Sequence, residues 1–298
     1  IVGPITPSFT ASGAIIGPEP TTGQHTLGYA LASGLFNDDE FTDLAVSAPG
    51  QTSPAGLRAG RVLVYFGGPT GIAASPDLVL FGSAADGRFG ACLAAVRWTR
   101  GDRDDLAVGA PNEDGGHGRV YVFSGGAMTA GSRDAISAER SIIVDATNPG
   151  SFAGGNQGAR LSAGLIDDDA VTDLVIAAPT ALGRGGFLVV HGSTVAAATI
   201  ALSDVDANAL AGARATWVPG PAGINGRSFG HYLYVLPTEI DGTDDVVATY
   251  ADDLATATGD AAFVWRGGTT VPTNSGVRAD SIDDTRDRII DYVTASTA

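Results

Sequence analysis

The stretch "NDDEFTDLAVSAP", residues 37–49, gathers three aspartates and a glutamate in one short loop and runs straight into an apolar strand that stops at Ala-Pro. Crowded carboxylates repel one another and resist desolvation, so such a loop needs open water or a cation. The same order returns as "RDDLAVGAP" (103–111), as "IDDDAVTDLVIAAP" (166–179) and, more loosely, as "EIDGTDDVVATY" (239–250). Other chemistry is sparse. His25, His117, His191 and His231 are scattered without paired metal-ligand spacing, so they read as surface or turn residues. There is no Gly-x-Ser-x-Gly elbow. Acidic pairs are plentiful and recur with the repeated loops, which gives a two-carboxylate glycosidase no support. The tripeptide Arg100-Gly101-Asp102 is read as a chance product of a composition rich in those residues.

The elements around the acids repeat as well. A glycine-marked start precedes each: "LGYALASG" at 27, "FGACLAAV" at 89, "QGARLSAG" at 157 and "FGHYLYVL" at 229. A glycine and an alternating apolar run follow each: "GRVLVYFGG" (60–68), "GRVYVFSGG" (118–126), "GGFLVVHGS" (185–193) and "GDAAFVWRGG" (259–268). A weaker fourth strand is expected at 77–83, 140–146 and 198–205. Four short strands per period of roughly 60–70 residues, with Gly, Pro and Asp turns, are the content of a propeller blade; a pair of β-sandwiches is the minor alternative.

The predicted fold is therefore all-β: a β-propeller of four-stranded antiparallel blades. Four blades are expected, with five, or part of a seven-bladed ring, as alternatives. The units run over about 27–87, 88–155, 156–226 and 227–268 of one domain spanning 1–298. Residues 1–26 are read as an N-terminal closing segment, with 13–17 as the outer strand of the last blade. Residues 269–298 are a tail: a partial extra unit, a short helix or that blade's own outer strand. The first strand of each unit is expected innermost, because Ala30, Ala32 and Ser33, then Ala91, Ala94 and Ala95, then Ala159, Ser162 and Ala163 are small enough to crowd an axis. In the fourth unit Tyr232 and Tyr234 would fill the hole or cap a mouth.

Composition narrows the partners. The 298 residues carry 17 basic and 33 acidic side chains, a net charge of −16, and every basic one is arginine. That balance argues against nucleic acid or an anionic membrane surface. Without lysine, a phosphate-loop NTPase, Schiff-base chemistry and Ser-x-x-Lys acyl enzymes are excluded. The single cysteine, Cys92, excludes an internal disulfide and reads as a buried, inert thiol. No apolar run reaches the roughly 18–20 residues that span a bilayer, so membrane insertion is not expected. The opening "IVGPITPSFT" lacks the basic flank and apolar centre of a signal peptide.

The combination "FG…DLAVGAP…GRVYVF" resembles the FG-GAP repeat of integrin α-subunit β-propellers and their bacterial relatives. The resemblance covers about residues 27–268 and is most specific in the second unit, where Phe89-Gly90 and Gly109-Ala110-Pro111 are intact. The other units drift to "SAP", "AAP" and, in the fourth, no proline.

The resemblance implies Ca²⁺ in the loop between the first and second strands, on alternate side chains plus one carbonyl. Mapped residue by residue, the first unit offers Asn37, Asp39 and Asp43 with the Phe41 carbonyl. The third offers Asp167, Asp169 and Asp173 with the Val171 carbonyl. The fourth offers Glu239, Asp241 and Asp245 with the Thr243 carbonyl, and keeps the turn glycine Gly242. One to three ions are expected, the third loop being favoured by its charge. The pattern's first ligand is replaced by Leu35, Leu165 and Pro237; water, Asp38 or Asp168 would have to make up that oxygen. The second unit lacks the site, and Arg97, Arg100 and Arg103 are expected to pair with Asp104 or Asp105 instead. The implied function is a non-catalytic, calcium-stabilised, extracellular binding or adhesion module, any signal peptide having been removed, with a protein or glycan ligand at a propeller mouth. A lectin using Tyr232, Tyr234, Trp98, Trp217 and Trp265 is an alternative, as is an accessory propeller of a secreted hydrolase or a purely structural ring.

Overall fold

The structure is a computed structural model that describes residues 26–98, 101–143, 160–167, 169–179, 185–192, 215–219, 229–237, 242–250, 261–265, 276–277 and 288–291. Four sheets follow one another along the chain. Blade 1 holds β1 (Leu31–Gly34), β2 (Asp43–Ala48), β3 (Arg61–Tyr65) and β4 (Leu78–Phe81), antiparallel and in sequence order. Blade 2 holds β5 (Cys92–Val96), β6 (Asp105–Ala110), β7 (Arg119–Phe123) and β9 (Arg140–Ile143). Blade 3 holds β10 (Leu161–Gly164), β11 (Asp173–Ala177), β12 (Gly186–Val190) and β13 (Ala215–Pro219). Blade 4 holds β14 (Phe229–Leu236), β15 (Asp245–Tyr250), β16 (Ala261–Trp265) and β18 (Arg288–Asp291).

These are the four-stranded antiparallel blades of a β-propeller. Two further strands add a feature. β8 (Gly131–Asp134) leaves blade 2 to pair parallel with β4, and β17 (Gly276–Val277) leaves blade 4 to pair parallel with β13. Each lies between the third and fourth strands of its own blade and covers the outer edge of the preceding one, protecting what would be an open strand edge.

The tail read from sequence supplies β17 and β18, so blade 4 takes its outer strand from Arg288–Asp291. Residues 13–17, expected in that place, lie outside the described residues. So do residues 198–205; the outer place in blade 3 is held by Ala215–Pro219 instead. Trp217 explains the choice. Its ring lies over Gly186, where a Cβ would come within 2.5 Å of it, and it is 1 % exposed.

The second strands "DLAVSA", "DLAVGA" and "DLVIA" are buried along nearly their whole length: blades stack on both faces of the latter two, while in blade 1 Val46 packs with Leu63, Tyr65 and Leu27 on the side away from blade 2. The innermost strands touch in the order β1, β5, β10, β14. Their small residues allow it: Ala30, Ala32 and Ala95 pack against one continuous core, and Ala91, Ala94 and Ala163 belong to or pack on the next. β5 and β10 are covered on both faces. β14 buries Leu233 and Val235 toward blade 3 but leaves Tyr232, Tyr234 and Leu236 exposed, and β1 leaves Leu31 exposed at the other end of the series.

The Phe-Gly starts are wedges between blades. Phe89 is fully buried, donates its N–H to the Ala59 carbonyl of blade 1 at 3.0 Å, and meets Tyr121 and Phe123 edge-on. Burying such a side chain is worth about 1.5–3 kcal/mol. Gly60 makes room for it: a Cβ there would sit 2.1 Å from the Phe89 carbonyl oxygen. Phe229 repeats the arrangement at the blade 3–blade 4 junction, bridging to Gly185 and packing on Phe187. Cys92 is buried, and burial pushes its thiol up to about 12, the behaviour of an inert core thiol.

Candidate metal centre

The strand register puts the last aspartate of every acidic loop in one position. Gly34 pairs with Asp43, Val96 with Asp105, Gly164 with Asp173 and Leu236 with Asp245. Each aspartate therefore opens the second strand, opposite the residue that ends the first.

What holds these carboxylates is largely backbone. Asp43 is fully buried and accepts N–H bonds from Phe36 (2.7 Å), Asn37 (3.1 Å) and Gly67 (2.9 Å). Asp173 accepts the same three, from Ile166 (3.0 Å), Asp167 (3.1 Å) and Gly192 (2.8 Å). Asp105 takes the Gly125 N–H at 2.8 Å in a blade without the other acids. The last aspartate thus ties the loop to the end of the third strand whether or not an ion is present. Burial raises the Asp43 carboxyl above its usual range, the three N–H groups oppose that, and Asp39 adds to it. Gly67 and Gly192 cannot carry a side chain: a Cβ would meet the Thr42 carbonyl oxygen at 2.4 Å, or Val171 at 2.4 Å.

Upstream of that aspartate, blades 1 and 3 wind the same ladder. Asp39 N–H donates to Asn37 Oδ1 (2.9 Å) and Phe41 N–H to Asp39 Oδ1 (2.8 Å). Asp169 N–H donates to Asp167 Oδ1 (2.9 Å) and Val171 N–H to Asp169 Oδ1 (2.8 Å). The structure brings Asn37, Asp39 and Asp43 into one loop, and Asp167, Asp169 and Asp173 into another. In blade 4, Glu239 and Asp241 lie outside the described residues. Thr243 is buried, Asp245 is half-buried, and Gly242 has φ +86°, the left-handed turn its position called for. Asp168 and Arg100 also lie outside the described residues.

The positions of Leu35 and Leu165 have a different task. Leu35 donates its N–H to Asp104 Oδ2 (2.9 Å) and accepts the Asp104 N–H (3.0 Å), a two-bond clasp from blade 1 to blade 2. Leu165 and Asp244 form the same clasp from blade 3 to blade 4. Gly34 and Gly164 let the neighbours approach, since a Cβ there would lie 3.1 Å from Asp104 and 2.6 Å from Asp244. At the middle junction the Trp98 indole donates to the His191 carbonyl at 3.0 Å. The arginines divide: Arg97 pairs with Asp104 at 3.2 Å, as expected, whereas Arg103 reaches back to the exposed Asp38 of blade 1 at 3.4 Å. Trp98, Trp217 and Trp265 are core residues at 7, 1 and 1 % exposure, so they offer no face to a sugar.

One histidine read from the sequence as a surface or turn residue is buried instead. His191 follows β12 and is wholly buried, with Nδ1 3.2 Å from Asp167 Oδ2 and 3.5 Å from Asp173 Oδ1, and Nε2 3.0 Å from Thr216 Oγ1. Asp167, Asp173 and His191 form a three-ligand cluster whose atoms all lie within 4.8 Å of one another. Burial by itself would lower the imidazole's pKa, but the two carboxylates outweigh it and raise it to about 9. The repeats held the signal: His191 stands immediately before the glycine that caps Asp173, where blade 1 has Phe66 and blade 2 Ser124.

No family model matches the chain. It is 34 % identical over 170 residues to phosphatidylinositol-glycan-specific phospholipase D of Rattus norvegicus, a match covering 53 % of this chain and 19 % of that protein. It is 34 % identical over 163 residues to integrin alpha-PS2 of Drosophila melanogaster (51 % and 11 %), and 37 % identical over 100 residues to integrin alpha-11 of Mus musculus (33 % and 8 %). The matched region spans about a fifth or less of the length of these relatives. The chain resembles the FG-GAP propeller of integrin α-subunits, as its repeat motifs imply.

Proposed function

We propose that this chain is a non-catalytic, extracellular binding module on an FG-GAP propeller, stabilised by Ca²⁺ in its acidic loops. The observation that supports the metal is the equivalence of two loops. At one strand register, residues 37–43 and 167–173 wind the same ladder and gather oxygen-bearing side chains around a buried aspartate. Blade 1 fits a hard ion best, because Asn37, Asp39 and Asp43 with the Phe41 carbonyl make an all-oxygen set, and Ca²⁺ takes six to eight oxygens. Blade 3 would use Asp167, Asp169, Asp173 and the Val171 carbonyl. Blade 4 would use Glu239, Asp241, Asp245 and the Thr243 carbonyl. The ion would offset like-charge repulsion and fasten the first strand to the second. Ligands of propellers sit on the loops at a mouth of the ring, and the similarity to integrin α-subunits favours a protein ligand.

Thermal unfolding tests the metal. Saturating a site at about a hundred times its Kd contributes roughly 2.7 kcal/mol, which for a chain of this size moves Tm by about 4 °C. EDTA is expected to lower Tm by that amount and added Ca²⁺ to restore it; an unchanged melt removes calcium from the reading. A carbohydrate ligand is the second reading, favoured by Tyr232 and Tyr234, which are 52 and 62 % exposed on one face of β14, with Arg160 over the Tyr232 ring. Glycan-array binding that disappears with Tyr234→Ala would be its mark, and a blank array its end.

A further inference from the structure

The loops of blades 1 and 3 differ in donor chemistry. Where blade 1 has Phe66, blade 3 turns an imidazole into the acids. Thr216 Oγ1 at Nε2 fixes the ring, so that Nδ1 aims between Asp167 Oδ2 and Asp173 Oδ1 without hydrogen-bond geometry to either. All three side chains are at most 2 % exposed. With Nε2 engaged by Thr216, the buried Nδ1 faces two carboxylate oxygens, a gap that a proton fills in the metal-free chain and that a divalent ion fills by displacing that proton.

We propose that blade 3 carries a mixed nitrogen–oxygen site, His191 Nδ1 with Asp167 and Asp173, that takes a borderline divalent first-row metal such as zinc in preference to calcium. The separations of 3.2 and 3.5 Å agree with ligands about 2.1 Å from one shared ion at angles of roughly 100–110°. Imidazole nitrogen suits zinc and its first-row neighbours, whereas calcium selects oxygen. Thr216 supplies the outer-shell contact that metal-bound histidines use to set their orientation. The inference rests on reading these loops as cation sites and narrows that reading for one blade.

The test uses the whole chain, stripped with chelator and titrated with Co²⁺, a spectroscopic substitute for zinc. The expected result is one equivalent of Co²⁺ with visible d–d bands, displaced by Zn²⁺ but not by a large excess of Ca²⁺. His191→Phe, which gives blade 3 the residue of blade 1, is expected to weaken Co²⁺ at least tenfold and abolish the bands. Should that variant fail to fold, the wild type serves alone: its Co²⁺ form is expected to show one hyperfine-shifted imidazole N–H in its proton NMR spectrum. Absence of bands and of that signal overturns the proposal, as does Co²⁺ binding unaffected in a folded His191→Phe chain. A calcium-dependent melt in a chain that ignores Co²⁺ would leave the calcium reading standing and this inference overturned; a chain indifferent to both ions would end both.

Discussion

The acidic loops of blades 1 and 3 share strand register, turn ladder and backbone anchoring, yet sit in different surroundings. In blade 1 Asn37 and Asp39 are half-buried and Phe41 is 40 % exposed, so water reaches the acids. In blade 3 Asp167 is 2 % and Val171 4 % exposed, and His191 closes the loop from behind. The pair separates two functions that the sequence pattern merges. Closing the loop is the work of the last aspartate and three backbone N–H groups, and it is common to both blades. On the proposed reading, the choice of cation would fall to the groups around it, above all the residue that precedes Gly67 or Gly192.

The largest effect expected from that division is loss of the anchor. Asp43→Ala and Asp173→Ala each strand three N–H groups. Leaving one buried donor unpaired costs about 1–3 kcal/mol, so each variant should lose about 3 kcal/mol or more in urea unfolding. The loss should persist in EDTA, because the bonds do not involve an ion. Asp173→Ala should be the worse of the two, since it also leaves His191 facing one carboxylate instead of two. Losses that vanish in EDTA would mean that these acids act through a cation alone, and the comparison would collapse.

The sequence made the blade plan legible because it is carried by side chains that must recur: the wedge Phe89 and Phe229, the small inner-strand residues, the buried "DLAV" runs and the aspartate that opens each second strand. The parts it concealed depend on backbone or on distant partners. β8 and β17 are too short and too polar, "GSRD" and "GV", to show a period of two. The Asp104 and Asp244 clasps use main-chain groups of Leu35 and Leu165, so the apolar side chains at those positions reveal nothing of the bonds. In the site, acids were conspicuous by number, whereas His191 stood alone in its strand end and only the register to Asp173 gives it meaning.

A smaller effect sharpens the contrast between blades at another pair of equivalent positions. In the loop after the second strand, blade 1 has Gln51 and blade 2 has Glu113, both buried. Glu113 accepts hydrogen bonds from Tyr121 and from Ser83 (3.1 Å), which lies in the connection from blade 1. Burial raises its pKa, while Tyr121, Ser83 and Arg119 pull the other way. A carboxyl whose folded value lies above its unfolded one binds its proton more tightly in the folded chain, so its contribution is complete below the unfolded value, about 4.3, and is lost as pH rises through the folded value. Glu113→Gln installs the neutral residue that blade 1 already uses. It should flatten the decline in stability that sets in as pH rises from about 4. Urea midpoints at about pH 4 and at neutral pH provide the measurement. Parallel profiles for variant and wild type would show that Glu113 does not titrate with folding and that the two blades use their buried polar residues alike.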